Sequence, residues 1–336
     1  MGIDLPLIWA VIILFGVMMY VVMDGFDLGI GLLYPFVPAK ADRDVMMNTV
    51  APVWDGNETW LVLGGAGLFV AFPIAYAAIL SAFYLPLIFM LVGLIFRGVA
   101  FEFRFKAPPA RQPFWDRSFT GGSYTATFFQ GVTLGAFLEG VPMRDGQAVA
   151  GSFSWLAPFP LFVGLGLIAA YALLGATWLV MKTESDLQQR MRELGLTLTW
   201  VLLLVIGVIS IWTPLSQPAV AHKWFSWPNL LYFSPVPLLV LVSAALLRRS
   251  LARRGHDAVP FLLTLGLVFL GYSGLGISLW PHVIPPSVTI WQAAGPPQSL
   301  GFTLVGALLI VPMILGYTAW SYWVFRGKVR GDEGYH

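Results

Sequence analysis

Two carboxylates, an amide and two indoles stand together in Trp54-Asp55-Gly56-Asn57-Glu58-Thr59-Trp60, at the mouth of a long run without charge. A second pair of acids, Asp24 and Asp27, interrupts the first apolar stretch, three residues apart and so on one face of a helix. Asp55 and Glu58 repeat that spacing. Arginines and a further acid follow in Phe96-Arg97 and Phe101-Glu102-Phe103-Arg104. Acids at the border of a bilayer are costly unless paired, hydrated or used, and an unpaired Asp at a helix centre costs about 2.5–3.5 kcal/mol on insertion scales. Two kinds of chemistry suit such a set. In one, Asp55 or Asn57 caps a helix while Arg97 and Arg104 staple the acids of three helix ends, guanidinium meeting carboxylate bidentately. In the other, Asp55 first and Asp24 or Asp27 next feed protons inward through hydrated carboxylates. Both can hold together, with different acids in each role.

Other reactive residue types narrow the field. The chain has no cysteine, which removes disulfides, iron–sulfur clusters and thiolate metal sites. Its histidines avoid the predicted spans: His222 and His256 fall in connections, His282 lies just past a helix end, and His336 is the last residue. That placement closes bis-histidine haem ligation inside the bilayer to this chain. Methionine can ligate haem, but the 11 Met read as packing. Glu139, in Phe137-Leu138-Glu139-Gly140, lies at an outer helix end and reads as a solvated terminal acid. The tryptophans gather at predicted helix ends, as an interfacial belt does. No residue is expected to hold a cofactor or metal.

The elements that must position these groups follow from composition. The chain is 58% hydrophobic and 11% charged, where soluble proteins carry about 25% charge, so it is an integral membrane protein. A net charge of +2, with basic residues set beside apolar spans, does not suit nucleic acid. The N-terminus lacks a basic region, and its apolar segment runs into Asp24 without a small-residue cleavage site, against a cleaved signal peptide. Since about 20 apolar residues cross the hydrocarbon core, helices are expected over 6–36, 55–75, 78–100, 119–141, 157–181, 195–214, 231–247, 259–279 and 299–325. The turns near Phe72-Pro73 and Trp280-Pro281 are where the count could become eight or ten. The expected architecture is all-α: nine transmembrane helices, two four-helix bundles plus one peripheral helix, in a single polytopic membrane domain 1–336.

Of the 19 Lys and Arg, 17 fall in the connections after odd-numbered helices and in the C-terminal tail, against Arg144 and Lys223 on the other side. That bias predicts an outside N-terminus and a cytoplasmic C-terminus. A first helix over 6–36 would be about 46 Å long, which sets Asp24 and Asp27 towards the cytoplasmic boundary. Gly25 and Gly29 there make a small-xxx-small pair for close helix approach.

Taken in order, Asp24-Gly25-Phe26-Asp27-Leu28-Gly29, Trp54-Asp55-Gly56-Asn57, Phe96-Arg97, Phe101-Glu102-Phe103-Arg104, Gly175-Ala176-Thr177 and Tyr317-Thr318-Ala319-Trp320-Ser321-Tyr322-Trp323 resemble subunit II of cytochrome bd-type quinol oxidases, more closely the shorter cyanide-insensitive branch. The resemblance covers nearly the whole chain. It implies pairing with a homologous subunit I that carries two b-type haems and one d-type haem or b-type substitute, together with the quinol-oxidising loop. It implies a complex in the bacterial inner membrane that oxidises ubiquinol or menaquinol and reduces O2 to water. Protons come from the cytoplasm without pumping, and some members add a small accessory subunit. Subunit II is haem-free in the family, and some members hold a quinone in it as a filler. By the same resemblance Asp55 lies on a proton path towards the haems, Asp24 and Asp27 match first-helix acids, and Glu139 matches none. The short connection 216–230 departs from longer members, so contacts made there are not carried over. The other readings are a proton- or cation-coupled secondary transporter using the acids of helices one and two, and an assembly subunit whose acids are all ion-paired.

Overall fold

The computed structural model describes residues 3–253 and 255–329; Arg254, Arg330 and His336, used in the sequence reading, lie outside them. Helix α1 (Leu5–Leu33) begins where the Asp4 carboxylate accepts the Leu7 amide at 3.1 Å, with Pro6 presetting the first turn. A 3-10 turn extends it to Phe36. The first connection is itself helical: α2 (Lys40–Asn48) buries Met46 and Met47 and turns its charges outward or towards neighbouring arginines.

The stretch expected to hold two helices is divided more finely, into α3 (Trp54–Ala71), α4 (Pro73–Ala82) and α5 (Tyr84–Arg104). Phe72 leaves the helix at φ −133°, ψ 64°, because Pro73 disfavours α geometry in the residue before it. Pro86 would press its ring on the carbonyl of residue 82 in a continued helix, so α4 stops there. The helix expected over 78–100 therefore starts at Tyr84 and ends at Arg104.

Next come α6 (Gln112–Glu139), a hairpin of β1 (Met143–Arg144) and β2 (Gln147–Ala148), α7 (Pro158–Lys182) and α8 (Ser185–Ser216). α8 begins ten residues before the expected 195, since the charged 185–194 segment ends a span without ending a helix. Short α9 (Pro218–Phe225) and α10 (Asn229–Phe233) lead to α11 (Pro235–Ala252) and α12 (Ala258–Leu279). A second hairpin, β3 (His282–Ile284) with β4 (Val288–Thr289), precedes α13 (Pro297–Val324).

Among the described residues, 7 helical segments are long and apolar enough to cross a membrane: those built on α1, α5, α7, α8, α11, α12 and α13. α3 falls short through Asp55, Asn57 and Glu58, and α6 through its Ser, Thr, Gln and Gly residues. α1 packs against α3, α6 and α7; α5 lies on α6, α6 on α7, and α8, α11 and α12 gather beyond α7. α13 rests against α1 and α3 with most of its apolar surface outward. Glycines set the closest crossings. A Cβ on Gly29 would stand 1.9 Å from the Tyr171 carbonyl oxygen, and one on Gly175 2.5 Å from the Gly29 carbonyl carbon. Without a hydrophobic drive between helices in lipid, such backbone contact supplies the packing.

Both ends are tied by loops. At one, the Gly295 amide donates to the Ala71 carbonyl (2.9 Å), the Val141 amide to Pro285 (2.9 Å) and the Trp9 indole to Leu300 (3.0 Å). Lys223 there donates to the carbonyls of Ile277 (3.1 Å), Ser278 and Trp280, satisfying the open end of α12. Burial pushes the Lys223 ammonium below its usual pKa. At the other end Lys182 donates to the carbonyls of Phe325 and Gly327, and Lys328 to the Thr183 carbonyl (3.1 Å) and the Asp257 carboxylate (2.6 Å). Arg192 also donates to Asp257, at 2.6 Å. The tail, the α7–α8 turn and the α11–α12 turn thus form one clamp.

Partial burial raises the Asp257 carboxyl, but hydrogen bonds from Lys328 and Gln188 and the charges of Lys328 and Arg192 outweigh it and hold the group below the usual carboxylate range. A carboxyl lowered in the folded chain stabilises fully above its unfolded value of about 4, and that contribution is lost as pH falls through the lowered folded value. The protection factors of residues 325–329 against hydrogen exchange should therefore fall below about pH 4, whereas Asp257→Asn should lower them already at neutral pH and flatten the dependence. Gly29→Ala is expected to cost more than about 3 kcal/mol, because the Tyr171 backbone cannot yield as a side chain does. Gly65→Ala, which meets nothing within 4 Å, should leave the unfolding temperature nearly unchanged.

Candidate functional site

The polar residues of α1, α3 and α5 converge on Arg97. Asp24 and Arg97 are fully buried and form an ion pair. Glu58, its side chain 29% exposed, stands 3.6 Å from the same guanidinium. Trp54 stacks on Phe101 with ring centroids 5.1 Å apart, and the Arg97 guanidinium lies 5.8 Å from each ring. Two aromatic faces and two acids therefore enclose one cation, which offsets part of its desolvation.

Asp27 belongs to the same pocket through a different partner. The Asn57 amide donates to its carboxylate at 2.8 Å and to the Met23 carbonyl at 3.3 Å, while the Tyr322 hydroxyl donates to the Asn57 oxygen at 2.8 Å. α13 is thereby joined to α1 through α3. On the same face of α1, one turn before Asp24, the Tyr20 hydroxyl accepts from Gln130 at 2.6 Å, and the Tyr171 hydroxyl donates to the Gln130 oxygen at 3.1 Å. A line of polar groups runs from α7 through α6 and α1 to α3 and α13. Asp27 Oδ1, Arg97 Nε and Nη1 and the Trp60 indole nitrogen are buried without a hydrogen-bond partner among the described residues. Buried polar atoms are seldom left so unless water or a ligand reaches them.

Asp55 stands apart from this cluster. It is exposed in the first turn of α3, its carboxylate without a hydrogen bond or ion pair among the described residues. Neither Asp55 nor Asn57 caps α3: the residue before the helix is Val53, with no side-chain cap. The capping expectation fails because Asn57 is drawn across to Asp27 and Asp55 points away. Arg104 does not join the pocket either. It pairs with Asp44 (2.7 Å) and Asp116, with Arg43 3.6 Å from Asp116, in a second buried set over the Tyr34 ring. Glu102 is exposed and pairs with Lys106 at 3.4 Å. Glu139 ends α6, where its carbonyl accepts from Gln217 at 3.1 Å. His222 lies on α9, His256 between α11 and α12, and His282 on β3. Among the described residues no three of His, Cys, Asp or Glu are grouped to hold a metal.

Sequence reasoning missed Tyr20, Gln130, Tyr171, Asp44 and Asp116, and quoted Tyr322 only within a motif. Gln130 was the available signal, an amide inside the uncharged run 118–138; Tyr20, four residues before Asp24, was another.

Comparison with known proteins places this arrangement. A family model described as cytochrome bd terminal oxidase subunit II matches residues 5–325. Curated relatives include the cytochrome bd-I ubiquinol oxidase subunit 2 of Escherichia coli K12, 31% identical over 94% of this chain and 92% of that protein. The cytochrome bd ubiquinol oxidase subunit 2 of Bacillus subtilis is 29% identical over 93% of each. Among solved structures, a chain of the bd oxidase from Geobacillus thermodenitrificans superposes with a TM-score of 0.78, covering 96% of this chain and 99% of that one. At 15% identity that likeness speaks for the fold alone.

Removing one partner of a fully buried ion pair strands the other, at about 3–5 kcal/mol. Arg97→Met should therefore lower the unfolding temperature of the detergent-solubilised protein markedly, and adding Asp24→Leu should recover part of the loss. Glu102→Gln, at an exposed pair, should leave it unchanged.

Proposed function

The chain belongs to the cytochrome bd terminal oxidase subunit II family, and on that premise we propose that it is the haem-free partner of a haem-bearing subunit I and helps conduct cytoplasmic protons towards the haem site. The complex is a membrane oxidoreductase that oxidises quinol and reduces O2 to water; this chain is not itself the catalyst. The single observation that supports the proton role is the buried line around Asp24, Arg97 and Asp27, whose carboxylate and guanidinium atoms keep hydrogen-bonding capacity unspent inside the protein. Asp55 and Trp54, at the start of α3, stand where the acids of that line come nearest the surface. In this reading Asp55 admits protons, Glu58, Asp24 and Asp27 carry or hold them, and Arg97, Asn57 and Trp54 position the carboxylates. Arg104 and Glu102 keep a structural role in ion pairs.

The spans assigned to this domain of 1–336 are nine: the seven apolar segments with α3 and α6. They divide into α1, α3, α5 and α6 and α7, α8, α11 and α12, with α13 peripheral. The contacts within each set, α5 with α6 and α1 with α3 in one, α7 with α8 and α11 with α12 in the other, support that division, and α7 packs on α1 and α6 where the sets meet. The basic residues put the N-terminus outside and the C-terminus in the cytoplasm. Haems b and d, or a b-type substitute, belong to subunit I. His222, His256 and His282 stand outside the long helices, so the donor set here does not fit a haem within the membrane. A quinone held by this chain would be a filler, and an accessory subunit would sit elsewhere in the complex. Family membership favours this reading over a secondary transporter.

A tag on this chain should copurify a haem protein with quinol oxidase activity; uptake of a solute by the chain alone would overturn the assignment. Asp55→Asn should slow O2 consumption several-fold with haem content and assembly retained. Turnover equal to wild type would remove Asp55 from the path.

A further inference from the structure

We propose that the groove between α5 and α6 binds an anionic phospholipid, its phosphate on Arg117 and an acyl chain in the slot below. The groove encloses about 310 Å³ and is lined by Val92, Gly93 and Phe96 on α5 and by Arg117, Gly121 and Thr125 on α6. Arg117 to Thr125 spans about 12 Å of helix, most of one leaflet's half of a hydrocarbon core about 30 Å thick.

Three features fit a chain beneath a phosphate. The slot is made by missing side chains. Gly93 and Gly122 bring the two helices into backbone contact, a Cβ on Gly93 standing 2.6 Å from the Ala126 nitrogen, while a Cβ on Gly121 would meet nothing within 4 Å. α5 and α6 thus touch on one side of a furrow and leave it open on the other. The charge at its end is also available. Arg117 is exposed and makes no hydrogen bond or ion pair among the described residues. The acid beside it in sequence, Asp116, is turned inward and taken up by Arg104 and Arg43, so no carboxylate competes. The α5 wall, finally, is apolar: Val92 and Phe96 face the furrow, and Ser118 opposite them spends its hydroxyl proton on the Phe96 carbonyl at 3.1 Å. A guanidinium over a hydrocarbon slot matches a phosphodiester with its tail, since Arg binds phosphate through paired, charge-assisted bonds.

The test uses the assembled complex, delipidated in detergent and analysed by native mass spectrometry and thermal unfolding. Wild type should retain or rebind dioleoyl-phosphatidylglycerol and unfold at higher temperature with it, but not with dioleoyl-phosphatidylcholine or inorganic phosphate. Arg117→Ala should weaken binding about tenfold, the loss of one charge-assisted contact. Gly121→Leu, which fills the slot without touching Arg117, should abolish retention while assembly and quinol oxidase activity persist. Equal retention by both variants, equal stabilisation by the zwitterionic lipid, or stabilisation by phosphate alone would overturn the proposal. So would loss of the partner subunit from Gly121→Leu, since protein rather than lipid would then fill the furrow.

Discussion

The buried pair of Arg97 and Asp24 is the constraint from which the rest of the arrangement follows. Neither side chain has exposed surface, and a charge taken out of water costs several kcal/mol unless geometry and further partners repay it. The partners come from three directions. Glu58 approaches on α3, Trp54 and Phe101 lay their faces on the guanidinium, and α1 brings Asp24. α5 can carry its arginine this deep because Gly93 and Gly122 let it sink against α6. Glycine crossings and the ion pair are therefore one design: backbone contact sets the depth at which the charge lies, and the charge fixes which face of each helix turns inward.

The second feature is that the polar line does not stop at the pair. Asp27 is held by an amide, not a cation, and the amide by a tyrosine from the last helix. Tyr171 and Gln130 continue the line into α7. Both this set and the neighbouring Arg104, Asp44 and Asp116 set keep buried atoms without a hydrogen-bond partner among the described residues, Arg97 Nε and Asp27 Oδ1 in one, Arg43 Nε and Asp44 Oδ1 in the other. What sets the Asp24 cluster apart is Asp27, a fully buried carboxylate whose hydrogen-bond partner is an amide and not a cation.

What was legible in the sequence was whatever charge alone marks. Asp24, Asp27, Glu58 and Arg97 interrupt apolar runs, and a charge in such a place must find company. The partners of Arg104 were not legible, because Asp44 and Asp116 look like ordinary loop and helix-start acids until α2 folds back beneath α5. The reading in which Asp55 or Asn57 caps α3 fails for a related reason. Asn57 lies two positions on, about opposite on the helix, so the residue drawn inward to Asp27 leaves Asp55 outward. Which side of an apolar helix faces a neighbour is not written in α3, whose outward positions are as apolar as its inward ones. Helix bounds slipped in the same way, as charged turns at the starts of α6 and α8 extend the helix beyond the bilayer.

α13 shows how a weakly packed element can still be positioned. Most of its apolar surface faces away from the rest of the chain, and packing alone would not fix its rotation or height. Yet Tyr322 must meet Asn57 within hydrogen-bonding distance. The clamp beyond its C-terminal end supplies what packing does not: Lys182 grips the carbonyls of Phe325 and Gly327, and Lys328 reaches Thr183 and Asp257. Those contacts begin three residues past Tyr322, less than one helical turn, so they leave little freedom for the helix to slide or rotate. A helix free to adapt its outer face to lipid or protein is thereby held at one end, where its hydroxyl completes the buried line.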